Sequence, residues 1–164
     1  MLINLNLPGK ILLIMKKVLL VLLVILVAIQ FFPTEKNIST TEQPANINNV
    51  YTVPADVDKI LRTSCYDCHS NNTAYPWYNR MQPVAWFLES HVKEGKEKLN
   101  FDAFATYSNE RRSDKVEEIG ETIQKGEMPL KSYTIIHIDA ILSDVQKQTI
   151  INWVNSIGPA GSQQ

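Results

Sequence analysis

The chain of 164 residues is long enough for one domain with a modest core and too short for several. Its 16 basic and 17 acidic side chains leave a formal charge of −1, which argues against a nucleic-acid partner. The first 32 residues hold Lys10, Lys16 and Lys17 and no acid; the remainder, with 13 basic groups against 17 acidic ones, carries −4, an ordinary and mildly acidic soluble surface.

"MKKVLLVLLVILVAIQFF", Met15 to Phe32, places two lysines before an almost unbroken apolar run. That order is the one used by export signals. The run from Val18 spans roughly 22 Å as a helix, short of a bilayer core of about 30 Å unless the lysines snorkel. No A-x-A-like cleavage site follows it. Residues 1–32 are therefore expected to be a signal or a membrane anchor. An uncleaved anchor over residues 18–32 is favoured above a cleaved signal, and a buried core helix is the third reading. Because lysines stay on the inner side, the rest is expected outside the cytoplasm, on the periplasmic side of a bacterial inner membrane.

Residues 33–53 are poor in apolar side chains and rich in Asn, Thr and Pro, and read as a flexible linker. Residues 54–158 are the expected domain and 159–164 a tail. Pro54, Asp56 and Asp58 suit a helix start, and Val57, Ile60 and Leu61 give it an apolar face running into Cys65. A second helix is expected after Pro83, with Val84, Phe87, Leu88, His91 and Val92 on one stripe, weakened at Gly95. A third is expected over about residues 111–125, with Gly126 just past its end. The fourth starts at Ser143, where "SDVQ" is a capping box, and carries Val145, Ile150, Trp153, Val154 and Ile157 to the Gly158-Pro159 stop. The β-branched clusters are too short for a sheet, so the fold class is all-α with long ordered loops. Loops as long as "HSNNTAYPWYNRMQP" and "GEMPLKSYTIIHIDAILS" need something to organise them, and a large apolar cofactor would supply the missing core.

"CYDCH" holds both cysteines of the chain. A structural zinc site would need four ligands, yet there is no second cysteine pair and His91 and His137 stand far apart. A thioredoxin-like pair expects a βαβ context. Covalent haem attachment accounts for every fixed position. Cys65 and Cys68 would add across the two vinyl groups as thioethers, and His69 would turn its imidazole onto the iron.

A six-coordinate iron needs one more donor. Met128, between the flexible Gly126 and the rigid Pro129, is the favoured axial ligand. His137, His91, Met81 and an open position are the alternatives. Tyr75, Trp77 and Tyr78 could pack on the haem, and Arg80 and Lys131 could pair with its propionates.

The order of "DVDKILRTSCYDCHS", "GEMP" and "LSDVQKQTIINWVN" resembles class I cytochromes c. More narrowly, "CYDCHSNNTAYPWY", "HVKEGKEKLNF" and "GEMPLKSYTIIHIDAILS" resemble a small bacterial haem-binding domain family with a single C-x-x-C-H, over about residues 54–157. The resemblance implies a cytochrome c-like helical fold around one covalent haem c and its iron. It makes Cys65, Cys68, His69 and Met128 the haem residues, and it brings no settled biochemical role. The insert Tyr75–Phe101 departs from common cytochromes c. The expected function is a membrane-tethered single-electron carrier serving redox partner proteins, rather than an enzyme. A haem-based sensor, a peroxidase-like haem enzyme and a thiol oxidoreductase are the other readings.

Overall fold

The computed structural model describes residues 9–158, so the expected tail at 159–164 lies outside the described residues. The chain is all-α: seven helices and no strand among the described residues, with one isolated bridge between Ile38 and Asn72. Two compact units divide it. Residues 9–35 with 75–89 form one, and residues 36–74 with 90–158 the other.

The first unit is dominated by α1 (Gly9–Ile29), whose side chains are all exposed or nearly so. Among the described residues it is the one helix long and apolar enough to cross a membrane. It begins well before the expected Val18 and includes the lysines, and its 21 residues measure about 32 Å at 1.5 Å per residue. With the lysines included, the helix is as long as a bilayer core of about 30 Å is thick.

In the second unit, α2 (Ala55–Ser64) and the single turn α3 (Tyr66–His69) are joined at Cys65. α4 (Val84–Lys98) leads out of the first unit, and α5 (Asn109–Gln124) follows a 3-10 helix at Phe101–Thr106. α6 (Lys131–Thr134) is one turn, and α7 (Asp144–Ile157) ends the described chain. α7 starts at the expected capping box, with Ser143 accepting from the Gln146 amide and the Gln146 side chain accepting from Ser143. It lies against α2 and α5. Close approach is possible because Gly120 faces Val154: a Cβ there would sit 3.2 Å from a Val154 methyl. The core gathers Val57 and Leu61 of α2, Val116 and Ile119 of α5, and Ile150 and Trp153 of α7, around Phe101 and Phe104.

Three expectations need correction. The stripe on α4 holds in part: Val92 is buried and Leu88 and His91 are half-buried, whereas Val84 and Phe87 are exposed and Ala85 is the buried position of the first turn. Val145 of α7 is also exposed, because the apolar face begins one turn later at Ile150. Residues 36–53 are not a free linker. Ile47 is fully buried in the core, and Asn46 donates to Asp102 at 2.7 Å. Asn37 donates to the Ser70 carbonyl at 2.8 Å, and its own carbonyl accepts from the Thr73 amide. Polar side chains hold this stretch, which is why its low hydrophobicity misled.

Candidate haem site

α2 delivers the chain to Cys65, and α3 turns Cys65, Cys68 and His69 toward the Met128 loop. All four border one recess of about 50 Å³, which His91 and Gly95 complete from α4. Cys65, His69 and Met128 also border a larger apolar cavity of about 290 Å³, walled by Leu61, Leu99, Phe101, Ile119 and Leu142. Lys98, Lys115, Glu118 and Glu127 lie at its polar edge, where Lys115 is bonded to Glu118.

His69 is held in a defined orientation. Its Nδ1 lies 3.0 Å from the Leu99 carbonyl, and a carbonyl only accepts, so Nδ1 carries the proton and Nε2 keeps a free lone pair. The ring meets Phe101 edge-on, and Phe101 in turn stacks on Tyr66 with centroids 5.1 Å apart. Burial lowers the His69 pKa, against the raising effect of the Leu99 and Gly95 carbonyls, and keeps the imidazole neutral. Burial pushes the Cys65 thiol up to about 12, assisted by Cys68, and the Cys68 thiol up to about 11, assisted by Asp67. A thiol–disulfide catalyst needs the opposite, a depressed pKa and a ready thiolate.

Met128 is positioned by the end of α5. Gly126 adopts φ +69°, and the Gly126 amide donates to Ile123 while Glu127 donates back to Thr122. This is the Schellman pattern, which reverses the chain in two residues and needs a left-handed residue at its centre. Met128 therefore leaves the helix end facing the cavity.

Three residues that periodicity passed over organise the site. Gly95 lies on α4 directly against α3: a Cβ there would sit 2.6 Å from the Cys68 carbonyl oxygen. The sequence signal was a glycine inside an otherwise good helix. Asp67, within the pentapeptide, accepts from the Tyr133 hydroxyl at 2.8 Å and from the Ala74 amide at 3.0 Å. Tyr133 thereby ties the segment after Met128 to α3, and burial, then Asp67, raises its pKa. Asp102 accepts from Asn46 and from the Asn71 amide, and Asn100 donates to Asn71, so the "SNN" and "NFD" stretches are one polar clamp behind α3.

Two thiols, one imidazole nitrogen and one thioether gather at one recess, a chemistry that fits a haem better than a hydrated cation. The model of the haem-binding domain family matches residues 24–156. The chain belongs to the haem-binding domain family. Haem is accordingly its cofactor, and Cys65, His69 and Met128 border the apolar cavity beside α3. The match also takes in the last turns of α1. No curated protein and no solved structure matches the chain.

The other sequence candidates fare differently. His91 borders the recess together with Cys68, His69 and Met128. His137 stacks on Tyr133, centroids 4.2 Å apart, and lines neither cavity. Met81, Tyr75, Trp77, Tyr78 and Arg80 belong to the first unit, and none borders the two cavities. Lys131 is exposed and lines neither, whereas Lys98 and Lys115, which composition did not single out, stand at the cavity edge.

Proposed function

We propose that this protein is a membrane-tethered c-type haem protein that carries single electrons. One observation carries the reading: Cys65, Cys68, His69 and Met128 border the same recess, with His69 Nε2 left as a lone-pair donor. Cys65 and Cys68 would hold one haem by thioethers, each sulfur bonding a vinyl carbon while its proton goes to the neighbouring carbon, so no oxidant is needed. His69 and Met128 would supply the iron ligands. When bound, haem iron supplies one-electron chemistry, and methionine–histidine ligation raises its potential. The chain's own part is to fix both ligands and keep water away. Leu99 holds the imidazole tautomer, the Schellman turn fixes the methionine, and the apolar walls exclude solvent. Nothing in this arrangement needs a substrate position on the iron. α1 supports tethering, with the haem domain on the outer side and redox partner proteins as its clients.

The test is a denaturing gel stained for haem, followed by spectra of the purified full chain. Haem that migrates with the denatured chain, at one per polypeptide, is expected, together with the weak long-wavelength ferric band of methionine–iron bonding. Met128→Ala should abolish that band and open the iron to carbon monoxide. Haem lost on denaturation would overturn covalent attachment. Immediate carbon monoxide binding by the unaltered protein would overturn the carrier reading and favour a sensor.

A further inference from the structure

None of the Trp- and Tyr-rich residues 75–89 borders either cavity, yet the stretch is locked to the end of α1. Gln82 is buried to all but 6 % and every polar group on it is used. Its amide donates to Gln30 Oε1 at 3.0 Å, and its carbonyl accepts from Gln30 Nε2 at 3.1 Å. Its own Nε2 donates to the Phe32 carbonyl at 2.9 Å, and its Oε1 accepts from the Trp86 amide. The Trp86 indole donates to the same Phe32 carbonyl at 3.2 Å. Around this latch Phe31, Phe32, Trp77 and Phe87 remain largely exposed, Trp77 at 75 %. Only Arg80 and Glu89 carry charge within 75–89.

We propose that residues 75–89 form a platform that lies in the lipid headgroup boundary and is clamped to the outer end of α1, which is retained in the mature protein. The inference rests on the reading of α1 as an anchor. Continuity selects lipid as the occupant. Phe31 and Phe32 resume the apolar character of α1 just past the single polar Gln30, and Trp77 and Trp86 join them in the same unit with the make-up of the tryptophans that a bilayer concentrates at its boundary, one end of the ring apolar and the other able to hydrogen-bond. Retention follows from Gln82. Cleavage after residue 32 would remove its partners and leave a buried amide unsatisfied.

The full-length protein, reconstituted into vesicles of phosphatidylethanolamine and phosphatidylglycerol, provides the test. A photoreactive benzophenone residue is placed in turn at positions 77, 87 and 147, and adducts are read by mass spectrometry beside the mass of the intact chain. Phospholipid adducts at 77 and 87, none at 147, and a chain that keeps residues 30–32 are expected. Gln82→Ala should lower the adduct yield at 77 several-fold while the protein still resists carbonate extraction. Absence of lipid adducts at 77 and 87 in a chain that resists extraction would overturn the platform and leave the anchor standing. So would adducts to a second copy or another protein in their place. An unchanged yield in Gln82→Ala would overturn the clamp. A chain that begins beyond residue 32 and washes off with carbonate would overturn the anchor reading, and the platform with it.

Discussion

Gly95 decides how closely α4 can approach α3, the turn that carries Cys68 and His69. A methyl at this position meets the Cys68 carbonyl oxygen at 2.6 Å, and that oxygen belongs to backbone that cannot swing aside. Gly95→Ala should therefore destabilise the fold by about 1–3 kcal/mol despite alanine's better helix propensity, because overpacking outweighs the roughly 1 kcal/mol propensity gain. Thermal unfolding would register the loss, and the yield of covalently attached haem would fall with it; a rise in melting temperature would refute the contact. Tyr133 poses a separable question. Tyr133→Phe removes the hydrogen bond to Asp67 and keeps the ring that stacks on His137. Asp67 retains the Ala74 amide, so the stability cost should be modest, about 1 kcal/mol. The sharper readout is the Met128 loop: the ferric methionine–iron band should weaken, and ligand exchange at high pH should set in earlier. Equal spectra in both proteins would reduce Tyr133 to a structural role.

Among the elements, α2 links charge to fold stability through Asp58. Burial raises its pKa, but hydrogen bonds from Arg62 at 2.7 Å and Asn48 at 3.1 Å, with the Arg62 charge, leave it below the usual carboxylate value. A depressed folded pKa means that the unfolded chain takes up the proton first. The contribution is present above the unfolded pKa of about 4 and is lost as pH falls through the folded value. The pair is largely solvated, so a few tenths of a kcal/mol is the expected size. Urea unfolding at about pH 6 and about pH 3 should show a smaller acid-induced loss in Asp58→Asn than in the parent, and equal losses would reject the assignment. α2 and α7 were legible before any coordinates because caps and apolar spacing agree, as in Ser143–Gln146 and Val57–Ile60–Leu61. The face of α4 was legible only in part: Val92 was marked by its spacing, but the close approach at Gly95 depends on the absence of a side chain and leaves no apolar signal. Likewise the pentapeptide marked Cys65, Cys68 and His69, but nothing local to Asp67 revealed a partner 66 residues away in Tyr133.

For the molecule as a whole, the question is where the folded haem domain begins. Composition put that boundary at Pro54, whereas the fold engages the chain from Asn37 onward. Ile47 is buried in the same core cluster as Phe104 and Val57, and Trp153 donates its indole proton to the Thr52 carbonyl at 3.1 Å. Asn46 closes the clamp through Asp102 and lies 3.3 Å from the Tyr66 hydroxyl of α3. A chain beginning at residue 36 should thus fold and hold haem in solution, needing the membrane for location and not for structure. One beginning at residue 54 should lose the buried isoleucine and several hydrogen bonds together, more than the 2–5 kcal/mol typical of a single large-to-alanine core substitution. Ile47→Ala in the longer form isolates the apolar share and should fall within that range. If the chain from residue 54 melts with the same midpoint and haem content as the chain from residue 36, then residues 36–53 are a tether after all. The polar clamp behind α3 would then be formed without them.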